Sequence, residues 1–507
     1  MTQQQDGGTT DGQPGGGAAV PEQMQVRLAK VKRMREDGLD PYPVGYPRTH
    51  AIGDVRAEFG GLAIDTRSGV TVSVAGRVVL YRNAGKLCFA RLRDGSGEIQ
   101  VMVSLDRVGA QALAAWKSDV DLGDHVGVTG EVISSKTGEL SVLADSFQLT
   151  SKALRPLPDK HRGLTDPEAR VRQRYLDLLV NPAARQAAEV RATVTRSVRE
   201  ELHARGFLEV ETPVLQTLHG GANARPFISH INAFNLDLYL RIALELYLKR
   251  LLVGGIDRVY EIGRIFRNEG VDATHNPEFT MLEVYEAYGD YNTMQALTTE
   301  LVQAAAQAVF GSQVARRPDG TEIDISGTWR SVTVHDALSH ALGEEVTPDT
   351  AEKQLREYAA EHHVELQPSW NRGQVVLELY EHLVEGRTVE PTFYRDFPVE
   401  VAPLTRKHRE DPRLAERWDL VAFGTEIGTA YSELVDPLEQ RDRLTAQSLL
   451  AAGGDPEAMQ LDEDFLTALE YGMPPAGGLG TGIDRILIML TGLPIRETIL
   501  FPLVKPT

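Results

Sequence analysis

The residues Gly477-Gly-Leu-Gly-Thr-Gly-Ile-Asp-Arg485 lie near the C-terminal end of the chain. Glycine at this density lets a backbone approach a ligand closely, as nucleotide sites require. A dinucleotide-binding fold would need a strand before the glycines and a parallel βαβ unit around them, but a helix predicted over 464–471 precedes them. Arg485, at the start of the next apolar helix, favours an anion. Taken alone, the stretch fits a packing or turn element as well as a phosphate site.

Two stretches far upstream complete the pattern, namely Phe266-Arg-Asn-Glu269 and His275-Asn-Pro-Glu-Phe279. Arg267 and Arg485 can neutralise phosphate charge, and Phe279 can lie against a purine ring. The three stretches together predict an ATP site, which none of them would establish alone.

The composition indicates a large acidic protein. Its 507 residues, 42% hydrophobic and 25% charged, predict two or three domains. The net charge of −19 argues against a protein that coats DNA or other nucleic acid by general electrostatics. A run of about eighteen apolar residues and an apolar signal region are both lacking, so we expect a cytoplasmic protein without a membrane part and a disordered tail over 1–21. The single cysteine, Cys88, excludes an internal disulfide, and its apolar surroundings predict buried packing rather than a reactive thiol.

Residues 22–69 are predicted to form an N-terminal helical extension. The first helix, over 22–37, carries the basic residues Arg27, Lys30, Lys32, Arg33 and Arg35. They predict either a solvated helix face or a contact with an RNA backbone.

Five short apolar runs separated by turn signals follow over 70–152 and predict a five-stranded β-barrel. The runs cover 71–80, 87–92, 98–103, 125–133 and 140–149. Asp94-Gly-Ser-Gly97 is a strong hairpin turn between the second and third runs. An OB-fold, which binds unpaired bases by stacking, is the natural candidate, although any five-stranded barrel fits the pattern. The prolines over 153–170 predict a linker.

Residues 171–507 are predicted to form a second domain, so the whole chain belongs to the α+β class. A long helix over 182–205 precedes strands over 238–242, 258–266 and 280–288. Their short connections indicate an antiparallel sheet backed by helices. The stretch of about 291–389 predicts mainly helices and a loop, inserted before the sheet resumes.

Three acidic residues, Asp419, Glu426 and Glu433, recur every seven residues. A helix would align them on one face, but Gly424 and Gly428 favour strands and a bend. Acids placed between phosphate-binding arginines predict Mg²⁺ ligands, with solvated or salt-bridged acids as the alternative.

Together, these stretches and Tyr431-Ser-Glu-Leu434 resemble class II lysyl-tRNA synthetase, over nearly everything after the tail. Gly206-Phe-Leu-Glu-Val-Glu-Thr-Pro213 is similar to the first class II motif, which lies at the dimer interface. Gly220-Gly-Ala-Asn-Ala-Arg-Pro226 and Tyr239-Leu-Arg-Ile242 make the resemblance specific for the lysine enzymes. The resemblance implies an OB-fold anticodon-binding barrel followed by a class II catalytic domain.

The resemblance also implies the residues of an ATP site. They are Arg267, Glu269, His275, Phe279, Glu426 and Arg485. Arg267 would contact the α-phosphate and the lysine carboxylate, Phe279 would stack on adenine, and Arg485 would pair with the γ-phosphate. Asp419 and Glu426 would hold Mg²⁺.

The same resemblance implies a lysine pocket and an anticodon site. The pocket residues would be Gly221, Glu245, Arg267, Glu283, Tyr285 and Glu433. An ammonium group on an aliphatic stem needs a carboxylate at the pocket floor and an aromatic hydroxyl nearby, which Glu433 and Tyr285 would supply. In the barrel, Arg82, Phe89 and Gln100 match the positions that the family uses on the anticodon, where Phe89 would stack on a base and Gln100 would read a base edge.

Four residues depart from the lysine enzymes. Thr429 and Val435 stand where the family has asparagines, Asp419 replaces a glutamate at the metal, and Leu244 replaces a proline. The lost amide at Thr429 bears most on substrate affinity, whereas a bridging water absorbs a shorter metal ligand. The phrase Trp418-Asp-Leu-Val-Ala-Phe-Gly-Thr-Glu426 is similar to the synthetase module that some bacteria fuse to a membrane lysyl-phosphatidylglycerol synthase.

The resemblance implies a homodimeric ligase that activates lysine with ATP, releases pyrophosphate and transfers lysine to the terminal adenosine of tRNA(Lys). Three alternatives stay open: a specialised paralogue for a lysine analogue or for inhibitor resistance, an enzyme that lysylates a protein, and a catalytically silent RNA-binding or regulatory protein. The barrel argues against protein lysylation. Retention of Arg267, Glu426 and Arg485 argues against a silent protein.

Overall fold

The structure is a computed structural model that describes residues 21–158, 164–317, 319–452 and 458–506. The chain divides into two compact units, one up to residue 163 and one from Leu164 onward. Residues 1–20 of the predicted tail and residues 159–163 of the predicted linker lie outside the described part. The domain bounds proposed from the sequence stay predictions.

The first unit contains a closed β-barrel. Two helices precede its strands in the sequence, and a third lies between its third and fourth strands. In chain order its elements are α1 (Glu22–Glu36), α2 (Ile52–Phe59), β1 (Arg67–Ala84), β2 (Leu87–Arg93), β3 (Glu98–Ser104), α3 (Leu105–Asp119), β4 (His125–Ser134) and β5 (Leu140–Ser151). The strands close in the order β1-β2-β3-β5-β4. All five predicted strands are present, and the OB-fold prediction is confirmed. The helix α3 was not predicted.

Alternating side chains build the core of the barrel. Ile99, Val101 and Val103 of β3 are fully buried, while the residues between them face outward. Cys88 of β2 is also fully buried, as its apolar surroundings predicted. Trp116 of α3 joins the same core, so this helix is part of the barrel's packing rather than an appendage.

The basic residues of α1 mostly hold the helix to its own unit. Arg27 donates to the carbonyl oxygens of Ala153 at 2.7 Å and Leu122 at 2.9 Å. Lys30 lies 2.8 Å from Asp121, and Arg33 forms an ion pair with Asp119. Three of the five basic side chains predicted for a solvated face or an RNA contact therefore contact the rest of the unit. Lys32, which pairs with Glu36 on the same helix, and Arg35 stay exposed.

The second unit is larger and mixes helices and strands. Its elements are α4 (Pro167–Arg172), α5 (Arg174–Val180), α6 (Pro182–Ala204), β6 (Leu208–Glu209), β7 (Leu215–Gln216), β8 (Ile228–Ile231), β9 (Leu236–Leu240), α7 (Glu245–Val253), β10 (Arg258–Phe266), β11 (Glu278–Ala287), α8 (Tyr291–Phe310), β12 (Val314–Arg316), β13 (Glu322–Asp324), β14 (Arg330–Thr333), α9 (Val334–Leu342), α10 (Glu352–Glu361), α11 (Arg372–Leu383), β15 (Thr392–Pro398), β16 (Leu414–Ala422), β17 (Thr425–Ser432), α12 (Pro437–Ala452), α13 (Glu463–Glu470), β18 (Ala476–Gly482), α14 (Ile483–Thr491) and α15 (Ile495–Thr498). Short 3₁₀ turns cover Glu385–Arg387 and Val399–Val401.

An eight-stranded sheet organises this unit, in the order β14-β15-β16-β17-β18-β11-β10-β6. Its inner neighbours are antiparallel, as predicted, but both edges are parallel pairs, β14 with β15 and β6 with β10. The strand predicted over 238–242 corresponds to β9, which belongs to a separate three-stranded sheet in the order β7-β9-β8. Helices α6, α8 and α14 bury one face of the large sheet.

The stretch of about 291–389 contains strands as well as the predicted helices. β14 forms an edge of the large sheet, and β12 and β13 form a two-stranded hairpin. This differs from the prediction of helices and a loop. β14 has only four residues, too few for alternation to reveal it, and its pairing with β15 joins segments far apart in sequence.

The glycine-rich stretch is itself a central strand. Residues 476–482 form β18, which pairs with β17 on one side and β11 on the other. Glycine is disfavoured in strand interiors, so local propensity pointed to a turn or packing element instead. Both neighbouring strands carry predicted site residues, and the sheet thereby places the glycines at the site.

Candidate active site

A cavity of about 370 Å³ opens against β11, β17 and β18. It is lined by ten of the residues predicted for ATP, lysine and metal: Gly221, Glu245, Arg267, Glu269, His275, Phe279, Glu283, Tyr285, Glu426 and Arg485. Two others, Asp419 and Glu433, are buried in the wall behind it. Residues that are far apart in the sequence thus converge on one space.

Two arginines face this cavity from different elements. Arg267 follows β10, and its Nε donates to the carbonyl oxygen of Ile242 at 3.3 Å. Arg485, on α14, donates through Nη1 to the carbonyl oxygen of Glu426 at 2.9 Å. Burial lowers the pKa of Arg267, and the positive charge of Arg485 acts in the same direction. Two guanidinium groups in one cavity favour an anionic ligand between them.

Phe279 supplies an apolar face beside these charges. Its ring centroid lies 5.4 Å from the guanidinium carbon of Arg267. Glu269 and His275 lie at the more open side, and both are exposed. His275 Nδ1 is held by Asp272 at 2.9 Å, which orients the imidazole at the cavity rim.

The glycines of β18 make room for acidic and aromatic side chains. A Cβ atom on Gly478 would lie 1.9 Å from Glu433 Oε1 and 2.6 Å from the Tyr285 ring. Gly221 is restricted differently: its φ is +86°, and a Cβ there would approach that of Glu245 to 3.2 Å. Glycine is required at Gly478 because the backbone and a carboxylate approach each other closely, and at Gly221 because its φ lies in the left-handed region.

Asp484, in the same motif, has a structural role. Its Oδ2 accepts from the backbone N–H of Thr280 at 2.9 Å, and its other oxygen pairs with Arg191 of α6. These contacts tie α14 to β11 and α6. They fix the helix start from which Arg485 extends.

Acidic groups and a phenol meet at the inner end of the cavity. Glu283 Oε1 accepts from the backbone N–H of Leu244 at 2.8 Å, and Oε2 accepts from the Tyr285 hydroxyl at 3.1 Å. Burial, together with the charge of Glu245, raises the pKa of Glu283 to about 8. Burial also raises the pKa of Glu433 to about 8, although Lys249 opposes the rise. Such shifts mark carboxylates that are short of compensating positive charge.

Lys249 was not predicted. Its fully buried ammonium lies 2.5 Å from Glu245 Oε1 and 2.5 Å from Glu433 Oε2. The contact with Glu433 is an ion pair, and neither oxygen of Glu433 has a hydrogen-bond partner. The spacing of Glu245 and Lys249, four residues apart on α7, was a signal in the sequence, but the same spacing is common on exposed helix faces.

The predicted metal ligands fit a magnesium ion that is bound mainly through phosphate. Asp419 receives two hydrogen bonds from Arg417, at 3.0 and 2.8 Å, and each of its oxygens keeps a further lone pair. Glu426 is partly exposed at the cavity, 3.3 Å from Arg485. Within the described part of the chain, no group of three or more His, Cys, Asp or Glu side chains is placed to hold a metal. Mg²⁺ characteristically uses one or two carboxylates plus substrate phosphates, so two suffice.

Glu385 is a second residue that the sequence did not single out. Its Oε1 accepts from the backbone N–H of Glu426 at 3.2 Å. Burial, with the charges of Glu426 and Asp419, raises the pKa of Glu385 to about 7. The predicted metal ligands therefore lie in a region of excess negative charge.

The departures from the lysine enzymes have distinct environments. Thr429 lines the cavity and donates through Oγ1 to the carbonyl oxygen of Trp418 at 3.2 Å. Val435 instead packs against an apolar cluster. Leu244 provides the N–H used by Glu283, which a proline could not do.

The three predicted anticodon residues share one outer face of the barrel. Arg82 of β1 is directly opposite Phe89 of β2, and Phe89 is opposite Met102 of β3. Gln100 lies two residues before Met102, so it points to the same side. Its Nε2 donates to Ser141 Oγ at 2.9 Å. Arg82 is exposed and Phe89 half-buried, so a base has access to both.

The fold and site define a class of protein, and comparison with known families agrees. Residues 166–505 match the family of class II tRNA synthetases (D, K and N). Residues 72–150 match the OB-fold nucleic acid binding domain. The chain therefore belongs to the class II tRNA synthetases (D, K and N), a family that uses ATP and Mg²⁺.

Two individual proteins are similar to this chain over nearly its whole length. The chain is 57% identical over 491 residues to the lysylphosphatidylglycerol biosynthesis bifunctional protein LysX of Mycobacterium marinum, covering 96% of this chain and 44% of the relative. It is 56% identical over 494 residues to the protein of the same name from Nocardia farcinica, covering 97% and 43%. The chain thus spans less than half the length of these relatives. No helix in its described residues is long and apolar enough to cross a membrane.

Proposed function

We propose that the chain is a lysine–tRNA ligase. In the first step, a lysine carboxylate oxygen bonds to the α-phosphorus of ATP, and pyrophosphate leaves with the electrons of the broken P–O bond. In the second, a hydroxyl of the terminal adenosine of tRNA(Lys) attacks the carbonyl carbon, and AMP leaves. No covalent enzyme intermediate is needed.

The observation that carries the choice of lysine is the acidic end of the cavity. Glu245, Glu283 and Glu433 are buried there beside the Tyr285 hydroxyl. Lys249 supplies one buried positive charge against these three carboxyl groups, and Glu433 Oε1 has no hydrogen-bond partner. An ammonium at the end of an aliphatic chain supplies the missing charge and donors. Aspartate or asparagine would add an acceptor where acceptors are already in excess.

The arginines carry most of the proposed chemistry. Arg267, which lies against Phe279 and lines the same cavity as Glu283, would hold the lysine carboxylate and the α-phosphate together. Arg485 would pair with the γ-phosphate, and Glu269 and His275 would hold ATP at the rim. Adenylate formation depends mainly on alignment and charge neutralisation, which fixed guanidinium groups provide.

The adenine and metal positions complete the proposal. Phe279 would stack on the base. Asp419 and Glu426 are the residues that would hold Mg²⁺, which would neutralise part of the polyphosphate charge. Arg417 fixes the orientation of Asp419 through two hydrogen bonds.

We propose a homodimer from the exposed apolar side chains of the small sheet and its surroundings. Leu208 of β6, Leu215 of β7 and Ile228 of β8 are 51%, 50% and 67% exposed. Phe234, between β8 and β9, is also exposed. Apolar side chains grouped in this way indicate a surface that another chain covers, and they adjoin the 206–213 stretch that resembles the first class II motif.

Amino-acid-dependent exchange of labelled pyrophosphate into ATP tests the proposed function. We expect exchange with lysine, and none with arginine, aspartate or asparagine. Arg267→Ala and Arg485→Ala should each abolish it while circular dichroism shows an intact fold. Arg264→Ala is the matched control, because that side chain is partly exposed on β10 and pairs with Glu278 rather than lining the cavity. Full exchange by both cavity variants would refute the proposal.

The same assay separates the alternatives. Exchange with ornithine in preference to lysine would indicate a paralogue for a lysine analogue, to which Thr429 points because it replaces an amide in the cavity. Exchange with no amino acid would indicate a catalytically silent protein.

The names of the relatives give a second candidate role. Lysylphosphatidylglycerol biosynthesis requires an activated lysine, and a chain 57% identical to part of such a protein is a candidate source. Loss of lysylphosphatidylglycerol from lipid extracts after gene deletion, with normal protein synthesis, would support this role over a general role in translation.

A further inference from the structure

Lys249 lies where two carboxylates of the lysine pocket converge. Its side chain is fully buried, and its ammonium contacts Glu245 Oε1 and Glu433 Oε2, each at 2.5 Å. The ammonium therefore has the chemistry of the proposed substrate's own end group. Two roles are conceivable for such a group: it occupies the substrate's place, or it prepares that place.

The geometry favours preparation. Glu245 lines the cavity, whereas Lys249, one turn later on α7, does not. Glu433 directs Oε2 to Lys249 and leaves Oε1 beside Gly478, whose backbone lines the cavity. Lys249 thus approaches both carboxylates from the side away from the cavity, and Glu433 Oε1, buried behind Gly478, keeps its hydrogen-bonding capacity.

The charges around Glu433 make this support necessary. Glu245 comes from α7, Glu283 and Tyr285 come from β11, and Tyr431 comes from β17; none of these groups is positively charged. Arg267 stands near Glu283 but is needed at the other end of the cavity. Without the positive charge of Lys249, three carboxyl groups in one buried space would take up protons. They would then lose their attraction for a cation.

We propose that Lys249 is a positioning residue of the lysine pocket, whose ammonium holds one oxygen of Glu245 and one of Glu433 and favours the ionised form of both groups, which the substrate's ammonium then binds. The inference rests on the proposed function and adds a residue that determines the pocket's charge. Lys249 makes no contact with the substrate in this arrangement. Its effect is expected on lysine binding rather than on the chemical step.

The test is lysine-dependent pyrophosphate exchange by the full chain between about pH 6 and pH 9, with wild type and Lys249→Met. We expect the KM for lysine of K249M to rise about tenfold or more at pH 7, with kcat changed less than about threefold. The pH below which KM rises should move up by roughly one unit or more, because an opposite charge is lost. Lys249→Arg keeps the positive charge, so the pH below which its KM for lysine rises should be that of the wild type.

Lys152→Met is a matched control. Lys152 is also fully buried and pairs with two acids, Asp121 at 2.5 Å and Asp124 at 2.6 Å, but in the barrel. The Lys152→Met variant should leave the KM for lysine and the pH dependence of that KM unchanged, since pyrophosphate exchange does not involve tRNA. If K249M fails to fold, Lys249→Gln removes the charge but keeps a hydrogen-bond donor, and the pH below which its lysine KM rises should still move up.

The outcomes distinguish this inference from the proposed function. No exchange with lysine by the wild type would defeat the proposed function itself. Wild-type exchange together with an unchanged lysine KM and an unchanged pH dependence of that KM in K249M, or in K249Q if K249M does not fold, would overturn the role of Lys249 alone. A lower KM in K249M would also overturn it, since that result means that Lys249 competes with the substrate.

Discussion

Leu244 shows how one residue adapts the site through its backbone. It replaces the proline expected from the resemblance, and its N–H donates to Glu283 Oε1 at 2.8 Å. Proline has no N–H to donate. The substitution therefore adds a hydrogen bond to a buried carboxylate whose ionisation costs free energy, and it favours the charged form that an ammonium ligand needs.

Leu244→Pro should weaken lysine binding. Loss of a hydrogen bond to a charged group corresponds to about a tenfold rise in the KM for lysine. Pyrophosphate exchange at varied lysine concentration measures it. Leu244→Met keeps both the N–H and the buried volume, so it should stay close to wild type. Equal KM values for the proline and methionine variants would contradict this interpretation.

The raised pKa values of Glu283 and Glu433, both about 8, give a pH dependence with a definite sign. An ammonium ligand binds the deprotonated carboxylates, so below pH 8 lysine binding must release protons. We expect the Kd for lysine to rise as pH falls from about 8.5 to about 6.5, by up to tenfold per unit for each group.

Titration calorimetry in buffers of different ionisation enthalpy would detect the released protons directly. Glu283→Gln removes one titrating group and should flatten the dependence. A pH-independent Kd without proton release would show that both carboxyl groups are already ionised in the free protein.

At the scale of elements, β18 determines the shape of the pocket. Its glycines leave space that Glu433 and Tyr285 occupy from the adjacent elements. The strand pairs with both β17 and β11, so its backbone cannot move away without breaking a ladder. The pocket is therefore rigid on this side.

Gly478→Ala should impair lysine activation more than Gly480→Ala. The added Cβ at Gly478 meets Glu433 Oε1 at 1.9 Å, whereas at Gly480 it meets the flexible end of Met281 at 3.0 Å. Overpacking of about 1–3 kcal/mol predicts a loss of roughly ten- to a hundredfold in lysine kcat/KM for the first variant. Exchange assays with both variants, beside melting curves, measure it. Equal losses in the two variants would show that the Glu433 side chain moves away from the added Cβ at little cost in free energy.

At the scale of the whole molecule, the sites proposed for lysine activation and for tRNA recognition lie in separate units. The proposed ATP and lysine residues all lie after Leu164, and the proposed anticodon residues lie before residue 163. A substitution at the proposed anticodon site should thus affect tRNA aminoacylation and leave pyrophosphate exchange unchanged.

Phe89→Ala should reduce tRNA aminoacylation and leave pyrophosphate exchange unchanged. A stacked base contributes about 1–3 kcal/mol, so kcat/KM for tRNA should fall about tenfold or more. Aminoacylation of a tRNA(Lys) transcript, measured beside exchange, gives the comparison. Parallel losses in both assays would mean that Phe89 supports the fold rather than a base.

The sequence by itself determined the class of the molecule, the strands of the barrel and several elements of the second unit. The five barrel strands followed from alternation and turn residues, and the inner antiparallel sheet followed from short connections. The arginines and Phe279 stood in local motifs, so their convergence on one cavity could be expected. These features depend on neighbours in the chain, where sequence patterns are informative.

The tertiary structure alone decided the environment of the charges. It placed the glycine stretch in a strand against Glu433, Arg417 on Asp419, and the ammonium of Lys249 behind the pocket carboxylates. Local patterns could not supply these contacts, because burial and through-space charge depend on segments distant in sequence. The ionisation of a buried carboxylate is set by every group that folding brings near it, and those neighbours exist only once the sheet has formed.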